Sequence, residues 1–260
     1  MRNLKGLGEI IGLAVANPVL GEDGWTYDEP VDAGGRVGRI RHHHQLYTAS
    51  DPTYTGKVSV PVLWDMKEGH IVNNESADIL RILNTAFDHL SGNRLDFYPA
   101  VLRVAIERWN EPIYASVNNG VYRAGFAKTQ AAYDEAVAAL FGMLDALDRH
   151  LEGNRYLAGE YLTEADIRLF VTLVRFDVAY HGAFKCNVRR IEDYPSLSNY
   201  LRELYQWPGI RETVRVDDIK RGYYGLRHIN PTGIVPAGPA TDFDRPHDRS
   251  RLAGLGVFGA

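Results

Sequence analysis

Val60-Pro61-Val62-Leu63-Trp64-Asp65, followed by Asn73-Asn74-Glu75-Ser76, is the stretch on which the reading of the fold turns. An extended apolar run with a proline in its middle precedes a polar tetrapeptide that opens an amphipathic helix. Proline gives no N–H to a ladder, so the run is an edge strand or holds the proline at a special position. X-Pro is the bond at which a cis peptide is accessible, and a cis bond at Val60-Pro61 turns the Val60 N–H and C=O away from the sheet, towards a ligand. At the helix start, Glu75-Ser76 offers a hydroxyl, free backbone N–H groups and the positive end of the helix dipole. Together these suit an extended peptide carrying a carboxylate, with strand-like pairing at Val60, the carboxylate at Ser76 and an amine near Glu75. Taken without the Val-Pro, Asn-Glu-Ser before a helix reads as an ordinary cap.

Working outward, residues 1–75 read as a small α/β unit. The continuously apolar residues 10–16 suit a parallel strand buried on both faces. With Arg2 and Lys5 ahead of them and Ala14-Val15-Ala16 behind, the same residues imitate a signal peptide, but Glu9 abuts the run and its length is at the short limit for such a core. Gly21 to Gly56 reads as a polar, glycine-rich insertion, residues 58–64 as a second strand, and Gly69-His70-Ile71-Val72 as a short final one.

From Ser76 the chain is helical: Ile79, Leu80, Ile82, Leu83 and Phe87 recur at helical spacing, as do Val137, Leu140, Phe141, Leu144 and Leu147. Thr163-Glu164-Ala165-Asp166 resembles a capping box with Asp166 as a short stand-in for Glu. Pro195 and Pro208 each suit the first turn of a helix. Past Asn230-Pro231 periodicity is lost, and residues 236–260 read as an extended or disordered tail. The expected architecture is an α/β domain over 1–75, an all-helical domain over 76–229 and a tail over 230–260.

Composition narrows the function classes. A chain of 260 residues exceeds the ~100–150 typical of one domain, and its formal net charge of −4 gives no reason to expect a nucleic-acid partner. No apolar run approaches the roughly 20 residues of a membrane span. The single cysteine, Cys186, excludes an intrachain disulfide framework and fits a reducing, cytoplasmic setting. His42-His43-His44 with Asp51 reads as a solvated loop rather than a metal site, because adjacent histidines diverge and no further ligand cluster completes a set. Gly34-Gly35-Arg36-Val37-Gly38 fails as a dinucleotide motif for want of a following helix.

Val-Pro followed by Glu-Ser at the start of a helix, and then an all-helical region, resembles the glutathione transferase superfamily. Several segments are similar to the glutathionyl-hydroquinone reductases, its xi class. They are Gly21-Glu22-Asp23-Gly24-Trp25, Val60 to Asp65, Val72 to Ser76, Val117 to Ala127, Arg175-Phe176-Asp177, Phe184-Lys185-Cys186 and Ile229 to Pro236.

The resemblance implies a thioredoxin-like N-terminal domain, here incomplete, a glutathione-transferase-type helical domain and a homodimer. It also implies glutathione as co-substrate, with no metal. In the implied reaction a cysteine thiolate removes glutathione from a glutathionyl-hydroquinone, and a second glutathione resolves the mixed disulfide. Carried over, Trp25, Val60, Glu75 and Ser76 belong to the glutathione site. Tyr122 and one or both of Tyr223 and Tyr224 belong to the hydroquinone site, where a ring and a phenol supply stacking and a hydrogen bond together.

One departure bears on chemistry. The family's nucleophile sits in a Cys-Pro-Trp-Ala motif shortly before an Arg-x-Leu-Lys-Gly-Leu segment, and here that segment is Arg2-Asn3-Leu4-Lys5-Gly6-Leu7. The expectation is a chain without the motif, with no catalytic residue to assign, because a lone cysteine such as Cys186 is usually an inert packed residue. The alternative function is a non-catalytic binding or dimerisation module.

Overall fold

In the computed structural model, which describes residues 1–260, the first strand lies inside the segment expected to be a polar insertion. Strand β1 (Thr26–Asp32) pairs antiparallel with β2 (Arg39–His42), in a register that sets Thr26 opposite His42 and Val31 opposite Ile40. The connecting turn places Gly34, Gly35 and Gly38 at positive φ, and Asp32 Oδ1 accepts the Gly34 N–H at 2.8 Å. A side chain at Gly34 would collide with the Met66 main chain, so the glycine there serves close approach as well as backbone conformation.

Helix α1 (His44–Ser50) follows, then a second antiparallel hairpin of β3 (Leu63–Asp65) and β4 (His70–Asn73). Helices α2 (Ser76–Thr85) and α3 (Asp88–Ser91) end this region. Its core joins Tyr27, Ala33, Ile40 and Leu46 with Val62, Trp64 and Ile71 packed against them. Residues 1–93 form one compact unit and 94–260 another, so by compactness α2 and α3 go with the first unit rather than the second.

Two expectations are corrected here. Residues 10–16 form no strand: Leu13 and Val15 are exposed, and neither two-stranded sheet includes them. Continuous apolarity was the only signal, and it does not by itself supply ladder partners. The second strand is also shorter than 58–64, because only Leu63–Asp65 is paired; residues 60–62 are extended and outside the ladder.

The second unit is helical. Helix α4 (Arg103–Ile113) runs through a π-turn at Tyr114–Asn118 into α5 (Gly120–Gly125), and α6 (Gln130–Gly153) follows. Helix α7 (Glu164–Arg175) passes through a second π-turn, Phe176–Tyr180, into α8 (His181–Ala183). Helices α9 (Pro195–Tyr205) and α10 (Val216–Tyr224) complete the set. Helix α6 packs on α5 and α9 through Val137, Leu140, Phe141, Leu144 and Leu147, each buried, as the periodicity implied. A fully buried leucine contributes about 1.5–3 kcal/mol, so this stripe is a major part of the core.

The capping box is present: Asp166 accepts the Thr163 N–H at 2.8 Å and the Thr163 hydroxyl at 2.9 Å, and Thr163 caps the third helical N–H. Pro195 occupies the first turn of α9. Pro208 does not begin a helix but lies in the turn that ends α9's run, and α10 starts only at Val216.

The C-terminal segment is irregular but docked. Arg249 is fully buried and donates to the main-chain carbonyls of Leu151 at 2.5 Å, Asn154 at 2.7 Å and Arg155 at 2.5 Å, at the C-terminal end of α6. Cations suit that end because the helix leaves its last carbonyls unpaired. Lys220 Nζ holds the Ala237 carbonyl at 2.8 Å, and Gln206 Nε2 holds those of Phe243 and Arg245. Leu162 N–H pairs with the Gly256 carbonyl and Asp96 N–H with that of Phe258. Glycine and proline content correctly signalled the loss of helix but could not show these anchors. No helix is long and apolar enough to cross a membrane.

Candidate functional site

In the first unit the two halves of the opening stretch emerge as loops. The Val60-Pro61 peptide is cis, Val60 is 42% exposed, and its main-chain groups pair with nothing in the chain. Glu75 is the N-cap of α2, in extended conformation, and its N–H is held by Asn73 Oδ1 at 2.7 Å. Glu75 and Ser76 are both exposed, with the first-turn N–H groups of α2 beside them. Trp25 lies immediately before β1, half-buried, and its carbonyl accepts the His43 N–H at 2.8 Å.

Behind these loops runs a chain of polar contacts that the sequence did not reveal. Tyr27 Oη meets His43 Nδ1 at 2.7 Å, and His43 Nε2 meets the Ser59 carbonyl at 3.0 Å. A carbonyl only accepts, so Nε2 carries the proton and Nδ1 accepts from Tyr27. Burial pushes the His43 pKa down, which keeps the ring neutral and this arrangement intact. The Tyr47 hydroxyl donates to the Ser59 carbonyl at 2.8 Å and accepts from the Ser59 N–H and from Asn74 Nδ2, each at 3.2 Å. The expectation of a solvated histidine loop is therefore corrected. His44 is exposed, His42 is half-buried, and His43 is buried and doubly bonded. Three adjacent histidines look alike in sequence, and only the β2–α1 corner separates their directions. No three His, Cys, Asp or Glu side chains gather to hold a metal ion.

In the second unit three phenols meet. Tyr122 on α5, Tyr180 at the end of the second π-turn and Tyr223 on α10 bring their hydroxyls together. Tyr223 Oη lies 2.7 Å from that of Tyr122 and 2.8 Å from that of Tyr180; Tyr122 and Tyr180 are 3.5 Å apart. Tyr180 is buried, whereas Tyr122 and Tyr223 are half-buried and form the accessible side. Burial, followed by the neighbouring phenol, raises the pKa of Tyr223, and the same causes raise that of Tyr180, so both are neutral donors at physiological pH. Phe126 stacks on Tyr122 and on His228, and Phe184 backs the group edge-on to Tyr122 and Tyr223. A side chain on Gly125 would overlap the Phe184 ring, so this floor depends on a bare backbone there.

The structure thus separates Tyr223 from Tyr224. Tyr224 is outside that group of hydroxyls: its ring abuts Gly182 and lines a cavity of about 420 Å³ with Lys185, Ile229 and Asn230. Tyr180 was not read from the sequence. Its segment, beginning at Arg175-Phe176-Asp177, stood out, but a π-turn shifts the helical phase, and counting by 3.6 misplaces the ring. Cys186 is fully buried, within sulfur hydrogen-bond range of the Val121 and Phe184 carbonyls, and burial pushes its thiol pKa up to about 12. It has neither the exposure nor the ionisation of a nucleophile.

Comparison with known proteins bears on both units. Residues 130–203 match the family described as glutathione S-transferase, C-terminal domain. The chain is 51% identical to the glutathionyl-hydroquinone reductase YqjG of Escherichia coli strain K12, over 96% of this chain and 77% of that protein. It is likewise 51% identical to the glutathionyl-hydroquinone reductase PcpF of Sphingobium chlorophenolicum, over 92% of this chain and 77% of the relative. Among solved structures, the glutathione-bound structure of the Escherichia coli protein superposes with a TM-score of 0.91 at 50% identity, covering 96% of this chain and 82% of that one. A xi-class glutathione transferase from Natrialba magadii gives 0.92 at 46% identity, covering 98% and 80%.

Proposed function

The chain belongs to the glutathionyl-hydroquinone reductase family, the xi class of glutathione transferases, and from that premise we propose that it binds glutathione at Trp25, Val60, Glu75 and Ser76 and a hydroquinone ring at Tyr122, Tyr180 and Tyr223. The observation that carries this reading is the meeting of three phenol hydroxyls between 2.7 and 3.5 Å apart, with a half-exposed side. An apolar ligand would not need convergent hydroxyls, whereas a ring oxygen can exchange hydrogen bonds with them while the ring stacks on the aromatic surroundings.

The residues divide the work. The free N–H and C=O of Val60 pair with the tripeptide backbone, Ser76 and the first turn of α2 take the γ-glutamyl carboxylate, and Glu75 takes its amine. The phenols donate to a hydroquinone oxygen as charge develops on it, with burial keeping Tyr180 and Tyr223 protonated. The thiolate that attacks the thioether sulfur in this family's reaction is not supplied by Cys186. The reading also takes in the homodimer that the resemblance implies and the cytoplasmic setting that the single cysteine suggests. The buried thiol favours a second reading, in which these 260 residues bind without turning substrate over.

A glutathionyl-hydroquinone with excess glutathione separates the two. With its one thiol buried, the 260-residue chain is expected to release no hydroquinone above background, while glutathione alone binds in the millimolar range, near ~4 kcal/mol on the affinity scale. Turnover that disappears in Cys186→Ala would overturn the assignment of that thiol as inert. Glutathione binding indifferent to Ser76→Ala would move the tripeptide elsewhere.

A further inference from the structure

The Val60 loop and the Glu75-Ser76 helix start flank one end of the β3–β4 ladder, where Leu63 pairs with Asn73 and Asn73 Oδ1 holds the Glu75 N–H. Residues 60–62 lie outside the β3–β4 ladder, and residues 74–75 lie past its end. Beyond that end pair, one side-chain atom links the two stretches. Tyr47 Oη contacts both main-chain groups of Ser59, the residue preceding Val60, and the side-chain amide of Asn74, the residue preceding Glu75. It donates one proton and accepts two, and the Ser59 hydroxyl lies a further 3.3 Å away. Tyr47 itself is 3% exposed and sits on α1.

The same helix is tied to β4 through Ser50, whose hydroxyl accepts the Ile71 N–H at 2.8 Å. The Ser59 carbonyl takes a further bond from His43, which Tyr27 orients in turn. We infer that Tyr47 is a positioning residue for glutathione: it touches no ligand but fixes the distance between the two arms that grip the tripeptide. This rests on the assignment of Val60, Glu75 and Ser76 to glutathione made above.

The physical consequence is specific to a ligand that bridges both arms. Two grips on one molecule reinforce each other only when their spacing matches the span, and freeing one arm dilutes that advantage. A ligand that uses a single arm gains nothing from the spacing. L-glutamine, which is the γ-glutamyl amide without the rest of the tripeptide, is such a probe for the Glu75-Ser76 arm.

The experiment is an NMR titration of the full chain and its variants with glutathione, and separately with L-glutamine read as the initial shift slope of the Ser76 amide. Tyr47→Phe keeps the buried ring and removes only the hydroxyl, and Asn74→Ala cuts one arm at a half-buried surface position. Each is expected to weaken glutathione about fivefold and to leave the glutamine slope unchanged. The double variant is expected to be no weaker than the stronger single one, because both remove the same link.

Unchanged glutathione affinity in Tyr47→Phe, with Ser76→Ala still weakening it, would sink this inference and spare the site assignment. A parallel loss of glutamine and glutathione binding, or single effects that multiply in the double variant, would reduce Tyr47 to local packing and overturn it as well. Failure of the wild-type chain to bind glutathione in a Ser76-dependent way would remove both readings.

Discussion

Tyr223 and Tyr224 are adjacent in the chain, yet one closes a ring of phenols and the other packs against Gly182. Successive helical residues point about 100° apart, so only one of the pair can face Tyr122. Tyr223→Phe removes the central hydroxyl and leaves Tyr122 and Tyr180 at 3.5 Å without a bridge. Binding of a glutathionyl-hydroquinone, followed by calorimetry, is expected to weaken by about 1–2 kcal/mol. Tyr224→Phe should leave it unchanged, and equal losses in both would contradict the assignment.

Cys186 offers a second check at this scale. With the folded thiol raised to about 12, the buried neutral form favours the fold at all pH values below the unfolded thiol's pKa, near ~8.5. That contribution is lost as pH rises from there through the folded value. Iodoacetamide at pH 8 should therefore leave the native protein unmodified and label it fully in urea; rapid native labelling would show an accessible thiolate. Of the residues proposed for the site, Val60, Glu75 and Ser76 stand out in the sequence because they border one recognisable local pattern. Tyr180 and Tyr47 were not, because their roles arise only where distant segments meet.

Among the elements, local chemistry read from the sequence held wherever the partner was local too. The capping box at Thr163 and the proline opening α9 are contacts within a few residues, and both are present. The strand expected at residues 10–16 and the helix expected at Pro208 failed because apolarity and a proline state what an element tolerates, not what lies beside it. The capping box reaches further than its motif. Asp166 also accepts the Leu157 N–H at 2.9 Å and the Tyr200 hydroxyl at 2.7 Å, and it is completely buried. Asp166→Ala strands all these donors, a class of change that costs about 3 kcal/mol or more when a buried charged hub is removed. For a unit of this size that lowers the thermal midpoint by roughly 6–12 °C at about 2–4 °C per kcal/mol. Asp166→Asn, which keeps one acceptor oxygen, should lose less. A midpoint within 2–3 °C of wild type for the alanine variant would mean the surroundings repack; that threshold is about one kcal/mol on the same scale.

At the scale of the whole molecule, the order of a small α/β region followed by a helical one was legible, because helical periodicity starts sharply at Ser76 and continues. Where the last residues go was not, since an aperiodic segment gives no direction. They return to α6, where Arg249 takes three carbonyls, lies over the Tyr200 ring and faces Glu203 at 3.5 Å. Arg249→Ala leaves Glu203 with only Arg155 and Tyr156 and uncaps α6. The expected cost is about 3–5 kcal/mol, visible as a lower urea midpoint of the second unit. An unchanged midpoint would show the segment to be dispensable.

The same anchoring has a practical corollary. Arg227, Thr232 and Ile234 mark an exposed connection ahead of the first tail anchor, Ala237. A backbone broken there leaves the final segment clipped to the helices by Lys220, Gln206 and the pairing at Gly256 and Phe258. The protein is thus a natural candidate for bisection, with the terminal peptide supplied in trans as a complementing fragment whose docking reports assembly of the helical unit.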